Sequence, residues 1–422
     1  IMYFKNIKLA LFIFFIGLVH SESVLIKNAT IYDGKNNDPF VGNVLIEGDK
    51  ISRISQSNLR GDIVIDATGK IVTPGIIATD SELGIVEIGA LSVTRDDSSD
   101  IYKIGFSIYD AFNPHSVLIP WNRSNGITSS LTLPQNTDSP IGGLGSFFVL
   151  DSNLDITGSS DIVMIGRVGG SSSSSRAATY SIIEDLLEFA ISLEQGDMKS
   201  NADISEAIDD SSIAGSMDLH PRDVKALYKL VNNNLPLIMK ANRASDLLKL
   251  IELKEKYNLN LIIMGAQEAG LVAERIAKSN IPLIINPINN IPGSFDELAS
   301  NINLAGKLEK QGITLMFNAP RDHNYHLIRQ GAGVAVAHGM SYAGAMKALT
   351  LSPVEVFGLG DRGHLAQGKI ADLIIWDADP LEPSSMPEKV FINGEDIDLT
   401  TRMSRLTERY TKNKDQPNGY RD

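Results

Sequence analysis

The stretch VTPGIIATDSELG, Val72 to Gly84, sets two carboxylates, Asp80 and Glu82, at alternate positions where an apolar run closes. On a strand, side chains two apart share a face, so both acids point the same way. Two like charges held together need a metal ion, a facing cation or water to offset their repulsion. Three other stretches offer groups of the right kind. LPLIMKANRASD closes a second apolar run on Lys240 and follows it with Asn242 and Arg243, and LIIMGAQEAG brings Gln267 and Glu268. RDHNYH, just after the run ITLMFNAP, supplies Asp322, His323 and His326, its imidazoles three apart and so on one face of a helix.

The elements that must hold these groups follow from hydrophobic period. VLIKNATIYDG, GNVLIEGDKISRIS and DIVIDATGKIVTPG are short alternating strands with turn punctuation, and GKIADLIIWDADPL and PEKVFINGEDIDL have the same character near the other end, with Asn393-Gly394 as a hairpin turn. The simplest pairing joins both ends in one β-sandwich. Between them strand-like and helix-like runs alternate: GITSSLTLP, DIVMIGRV, LPLIMKAN, LNLIIMGA, IPLIINP and ITLMFNAP as strands. ATYSIIEDLLEFAISLEQ, with Ile182, Ile183, Leu186, Leu187 and Ile191 on one face, ASDLLKLIELKEKY, EAGLVAERIAKS and ELASNINLAGKLEKQ read as helices. This alternation predicts an α/β fold, a TIM-type barrel ahead of a doubly wound open sheet. The five serines from Ser171 to Ser175 read as a polar loop and SPIGGLGSF as a Gly-rich turn; Glu87, Arg95 and Asp96 are candidate lid residues, and His115, His220, His338 and His364 are assigned no chemistry.

A chain of 422 residues with 43% hydrophobic and 21% charged residues can bury a large globular core. Its net charge of -13, with no basic cluster, excludes a nucleic-acid surface. Lys5 and Lys8 before the apolar run Leu9 to Val19, with Val19 and Ser21 as the small residues of a cleavage site, predict a signal peptide over 1–21 cut after Ser21. The expected location is periplasmic or secreted, with no stable membrane span after cleavage. There is no cysteine, so no disulfide framework. The expected partner is a small-molecule ligand or substrate, and a homo-oligomer is possible.

Taken together, VLIKNATIYDG, GNVLIEGDKISRI and VIDATGKIVTPGII at one end and ALTLSPVEVFGL, GHLAQGKIADLIIWDADPL and PEKVFINGE at the other resemble the amidohydrolase superfamily, in its imidazolonepropionase-like and prolidase-like branch. The resemblance implies a distorted (β/α)8 barrel over 73–359, a small composite β-sandwich over 22–72 and 360–400, and a C-terminal helix and tail over 401–422. It also implies divalent metal at the strand ends and hydrolysis of carbon–nitrogen bonds in a small cyclic amide or dipeptide-like substrate. The strand-one His-x-His of that family falls on Asp80 and Glu82, the strand-five His on Lys240, the strand-six His on Gly265 and the strand-eight Asp on Asn318.

These substitutions lead to three readings of the barrel mouth. In the first, Lys240 takes the metal's electrostatic place facing Asp80 and Glu82, as a structural cluster or as a catalyst with a shifted pKa, and no cofactor is expected. In the second, Asp322, His323 and His326 join Asp80 and Glu82 to rebuild a site for one divalent metal such as zinc. In the third, a catalytically inactive barrel acts as a binding or sensor protein, with Asn242, Arg243, Gln267 and Glu268 as ligand contacts. Arg243 there suits a carboxylate, or else pairs with Asp246 or Glu268. Asp80, Glu82, Lys240, Asn318, Asp322 and His323 are the catalytic candidates.

Overall fold

The computed structural model describes residues 22–412 other than 37, 136, 170–174 and 321–322. The expected signal peptide, Asp322 and the last ten residues of the tail lie outside the described residues. The strands in chain order are β1 (Val24–Ile31), β2 (Phe40–Glu47), β3 (Lys50–Ser55), β4 (Ile63–Asp66), β5 (Ile71–Pro74), β6 (Ile76–Ser81), β7 (Ile127–Thr132) and β8 (Ile141–Val149). They continue with β9 (Gly158–Arg167), β10 (Leu237–Ala241), β11 (Leu261–Gly265), β12 (Leu283–Ile285), β13 (Leu315–Phe317), β14 (Leu373–Trp376), β15 (Pro387–Ile392) and β16 (Glu395–Asp396). Among the described residues no helix is long and apolar enough to cross a membrane.

Both chain ends build one sheet, ordered β16-β15-β14-β5-β1-β2-β3 with β4 branching from β1. The join is the antiparallel pair of β14 and β5, from Leu373 opposite Pro74 to Trp376 opposite Ile71. Its apolar face, including Ile26, Val44, Val72, Leu373 and Phe391, forms a core of its own. Asn393 and Gly394 both have positive φ between β15 and β16, as the Asn-Gly pair requires of a tight hairpin. Arg329 then clamps the C-terminal segment to the barrel: its guanidinium donates to the carbonyls of Pro380, Glu382 and Ser385 and stacks over Trp376.

The second sheet runs β13-β12-β11-β10-β9-β8-β7-β6 and curls into a distorted TIM barrel. The Thr79 hydroxyl on β6 donates to the Phe317 carbonyl on β13 at 2.7 Å, tying the first barrel strand to the last. One distortion is explicit: β8 runs antiparallel to both β7 and β9. From Ile141 onward, the segment read above as a Gly-rich turn lies within it. Glycine there serves close packing, since a Cβ on Gly145 would lie 2.4 Å from a Leu133 methyl carbon.

Two helices also differ from the pattern. Arg176–Ser192 buries Ile183, Leu186, Leu187, Phe189 and Ala190, while Ile191 stands 52% exposed. The helix expected from Glu297 starts only at Leu304. Glu297 is drawn away from helical pairing because its carboxylate accepts from Asn242 Nδ2 at 2.7 Å and from the Gly293 amide at 3.1 Å. The connection after β12 is therefore a long irregular loop, and it folds over the strand ends.

Candidate ligand site at the barrel mouth

Parallel strands in register bring their C-terminal residues to one rim. Lys240 on β10 lies opposite Arg167 on β9 and Met264 on β11, and Ala241 lies opposite Gly265. Around the circle, β6 ends near Asp80, β13 is followed by Asn318 and β12 by Asn286. These residues line a cavity of about 500 Å³ together with Asn242, Gln267 and residues of the loop after β12. That size falls within the roughly 300–1,000 Å³ of small-molecule sites.

Each wall has a local cause. Asn318 Nδ2 donates to Asp80 Oδ2 at 3.1 Å, which orients the amide and leaves Asn318 Oδ1 without a donor. Gly265 sits at φ +93°, and a Cβ there would approach Asn242 Oδ1 to 2.3 Å. Asn242 thus occupies the space a strand-six side chain would need. Its Oδ1 accepts from the Gln267 amide at 3.4 Å. Gln267, 2% exposed, donates from Nε2 to the Gly265 carbonyl at 3.3 Å, and its Oε1 has no partner. Arg176 holds the loop after β12 in place by pairing with Asp246 at 2.9 Å and Asp296 at 2.5 Å. Burial works against its charge, yet the two carboxylates keep its pKa above the ordinary arginine value. The same Asp246 accepts from the Tyr180 hydroxyl, whose pKa is pushed up by burial first and by that carboxylate second.

The structure gathers Asp80, Lys240, Asn242, Gln267 and Asn318 at this cavity and sends other candidates elsewhere. Glu82 does not line it: one residue past the end of β6, its carboxylate lies 3.5 Å from Arg95 Nη2, and its amide donates to the Tyr325 hydroxyl at 3.0 Å. The expected facing triad of Asp80, Glu82 and Lys240 is corrected to that extent. Arg243 is exposed and does not line the cavity, because it precedes the helix Ala244–Tyr257 in extended backbone. The arginine on Asp246 is Arg176. Glu268 is a brace rather than a ligand contact, accepting from the amides of Ala244 and Ala299.

The rebuilt metal reading separates as well. His326 is buried edge-on to Trp121, with its Nδ1 3.3 Å from Asn122 Oδ1, and His323 lies against the loop at Gly89. Among the described residues no three His, Asp or Glu side chains are grouped to hold a metal ion, and no histidine lines the cavity. An open zinc site takes three protein ligands, most often imidazole with carboxylate. A rim of Lys240, Arg167, Asn286 and Asn318 around Asp80 is not that donor set. Arg167 and Asn286 were missed in the sequence, although Arg167 ends its apolar run, DIVMIGRV, much as Lys240 ends its own.

Residues 240–397 match the family model described as Amidohydrolase family. Over 88% of its length the chain is 23% identical to Amidohydrolase tasK of Hapsidospora irregularis, covering 43% of that protein. It is 25% identical to an adenine deaminase of Clostridium perfringens, covering 88% of this chain and 58% of the relative. The chain thus spans about half the length of these curated relatives. An amidohydrolase from Thermotoga maritima superposes with a TM-score of 0.75 over 89% of this chain and 99% of its own, at 23% identity.

Proposed function

We propose, for a chain that belongs to the amidohydrolase superfamily, that its barrel mouth binds a small polar molecule and that the family's metal-dependent attack on carbon–nitrogen bonds is no longer carried by its strand ends. Members of that family act on such bonds and usually bind a divalent metal such as zinc. One observation supports the reading: the strand ends at this cavity present Arg167, Lys240 and Asn318 around the single carboxylate of Asp80, and no histidine lines it among the described residues. A divalent ion beside Asp80 would have Arg167 and Lys240 as neighbours and would lack imidazole to offset its lost hydration. Asp80 keeps one carboxylate in place, with a hydrogen bond from Asn318.

The rim then works by shape and hydrogen bonding. Arg167 and Lys240 attract an anionic group, Asn242 and Gln267 fix one wall, and Arg176 through Asp296 keeps the covering loop closed down. Export to a periplasmic or extracellular location is part of the same proposal.

The second reading is inherited hydrolysis of a cyclic amide or dipeptide-like substrate, favoured by the relatives named amidohydrolase and adenine deaminase. Metal analysis separates the two. Protein produced with added zinc and manganese and then freed of loose ions is expected to hold far less than one transition metal per chain and to give no turnover in an amide and deamination screen. Stoichiometric metal together with turnover that a chelator abolishes would establish the second reading instead.

A further inference from the structure

We propose that a second cavity, separate from the mouth, is a binding site for phosphate, free or carried by a small molecule, held by Arg222, Lys225 and Lys229. The cavity lies between the helix Pro221–Asn232 and the strands β8 and β9, measures about 330 Å³ and shares no lining residue with the mouth. Its size is at the lower end of the roughly 300–1,000 Å³ of small-molecule sites.

Helical spacing builds the site. Residues 222, 225 and 229 are three and four apart, so their cations share the helix face that turns to the cavity, while Val224, Leu227 and Leu230 are buried. The one acid of this helix, Asp223, is buried and committed elsewhere. Its Oδ1 accepts from the amides of Ile104 and Gly105 at 2.8 and 2.7 Å, and its Oδ2 from the His220 amide at 3.1 Å. Asp223 therefore pins the helix in place and leaves the cationic face without an acid of its own. Like charges three and four residues apart on a helix repel, which a bound anion would relieve. Arg222, Lys225 and Lys229 are all exposed, so an incoming ligand reaches their charged ends directly.

The partners these cations do have are neutral. Lys225 Nζ donates to Asn201 Oδ1 at 2.9 Å, and the Arg222 guanidinium lies 5.2 Å from the centre of the Tyr102 ring. No carboxylate is within ion-pair distance of the three among the described residues, whereas Lys249 and Lys256 both meet Glu184 and Lys369 meets Asp361. His220 adds a further donor: its Nδ1 accepts from the Arg222 amide at 3.1 Å, which puts the proton of the neutral ring on Nε2. Asp161 is the one carboxylate lining the cavity. It belongs to the strand wall, where its Oδ1 accepts from the Ser107 hydroxyl at 2.6 Å, and it keeps negative charge to the helix side. Three cations against one acid make this cavity positive in a chain of net charge -13. A carboxylate brings one charge and two oxygens in a plane. A phosphate monoester brings close to two charges and three oxygens, which suits one guanidinium and two ammonium groups arriving from one helix face.

The test is calorimetric titration of the full chain at fixed low ionic strength with inorganic phosphate and glycerol 2-phosphate, against malonate and glycerol as controls. At least one phosphate probe is expected to bind about tenfold or more tightly than malonate, to weaken as sodium chloride is added, and glycerol is expected not to bind. Tighter binding of the ester assigns a phosphomonoester, and tighter binding of inorganic phosphate assigns the free ion; both support the site. Lys225→Gln/Lys229→Gln should weaken phosphate binding at least about tenfold. Its melting temperature without ligand should stay at or above the parent's, because glutamine suits an exposed helix position and the repulsion is gone. Arg167→Met, at the mouth, should leave phosphate binding unchanged. Malonate binding as tightly as phosphate, no binding of either phosphate probe, indifference to Lys225→Gln/Lys229→Gln, or loss of binding in Arg167→Met overturns the assignment. None of these results depends on what the mouth binds or whether it holds a metal.

Discussion

Asn318 donates its side-chain amide to Asp80 across the seam of the barrel, Nδ2 to Oδ2 at 3.1 Å. With Thr79 reaching the Phe317 carbonyl one layer below, it joins the last strand to the first and fixes the only strand-one acid that faces the cavity among the described residues. Asn318→Asp tests what this seam does. It restores the family's strand-eight acid but sets a second carboxylate against Asp80, so the two cannot both ionise cheaply. We expect a loss of about 1–3 kcal/mol at neutral pH, shrinking as the solution is acidified, and no gain in bound metal. Urea denaturation at two pH values with metal analysis of the same samples checks both halves.

Arg95 is the counter-ion that takes Glu82 out of the mouth. Its Nη2 lies 2.6 Å from Asp97, whose side chain is 1% exposed, and 3.5 Å from Glu82. The hydrogen bond to Asp97 chiefly holds the arginine pKa above its ordinary value, with the Coulomb pull of Asp97 and Glu82 adding to it. Arg95→Met leaves two buried acids without this cation and is expected to destabilise by about 3 kcal/mol, because breaking a buried pair costs more than deleting it whole. The double variant Arg95→Met/Asp97→Asn should recover part of that loss. Equal stability of the single and double variants would show that the pair is not coupled.

The sheet built from both chain ends was legible in sequence because its strands are short apolar runs set off by turn residues and Asn393-Gly394 demands one turn. The strand ends Asp80 and Lys240 were legible for a related reason, a charged residue closing an apolar run. What escaped depends on partners far apart in sequence. Arg243 and Arg176 look alike on paper, and only the fold puts Asp246 and Asp296 beside Arg176. Glu82 alternates with Asp80 as a strand residue should, but β6 ends at Ser81 and the chain turns. β8 was hidden because three glycines in a five-residue stretch imitate a turn, whereas here they let neighbouring strands approach.

Gly265 carries a prediction about why imidazole is missing from the sixth position. Its φ of +93° belongs to glycine, and Asn242 Oδ1 fills the place of a Cβ at 2.3 Å. Gly265→His should therefore cost about 1–3 kcal/mol in backbone strain, with further loss from displacing Asn242. We expect a lower melting temperature and no zinc uptake. The companion Asn242→Ala/Gly265→His makes room, so a better melting temperature than Gly265→His alone is the expected sign that the clash is with Asn242. If Gly265→His alone melts like the parent, the backbone at this wall is not as described.

His364 gives the fold a pH dependence away from the mouth. Burial first, then the Lys369 and Lys35 cations, hold its imidazole below the ordinary histidine value of 6.5, while a backbone hydrogen bond to Arg362 and the charge of Asp33 pull the other way. A depressed histidine pKa means that the unfolded chain takes up the proton more readily than the folded one. The stability tied to neutral His364 is thus present above the unfolded pKa and lost as pH falls through that value toward the folded one. Between about pH 7.5 and 5.5 the melting temperature of the parent should decline, and His364→Gln should flatten the decline without needing to change stability at the alkaline end. Parallel melting curves for parent and variant across that range would assign the pH dependence to other groups.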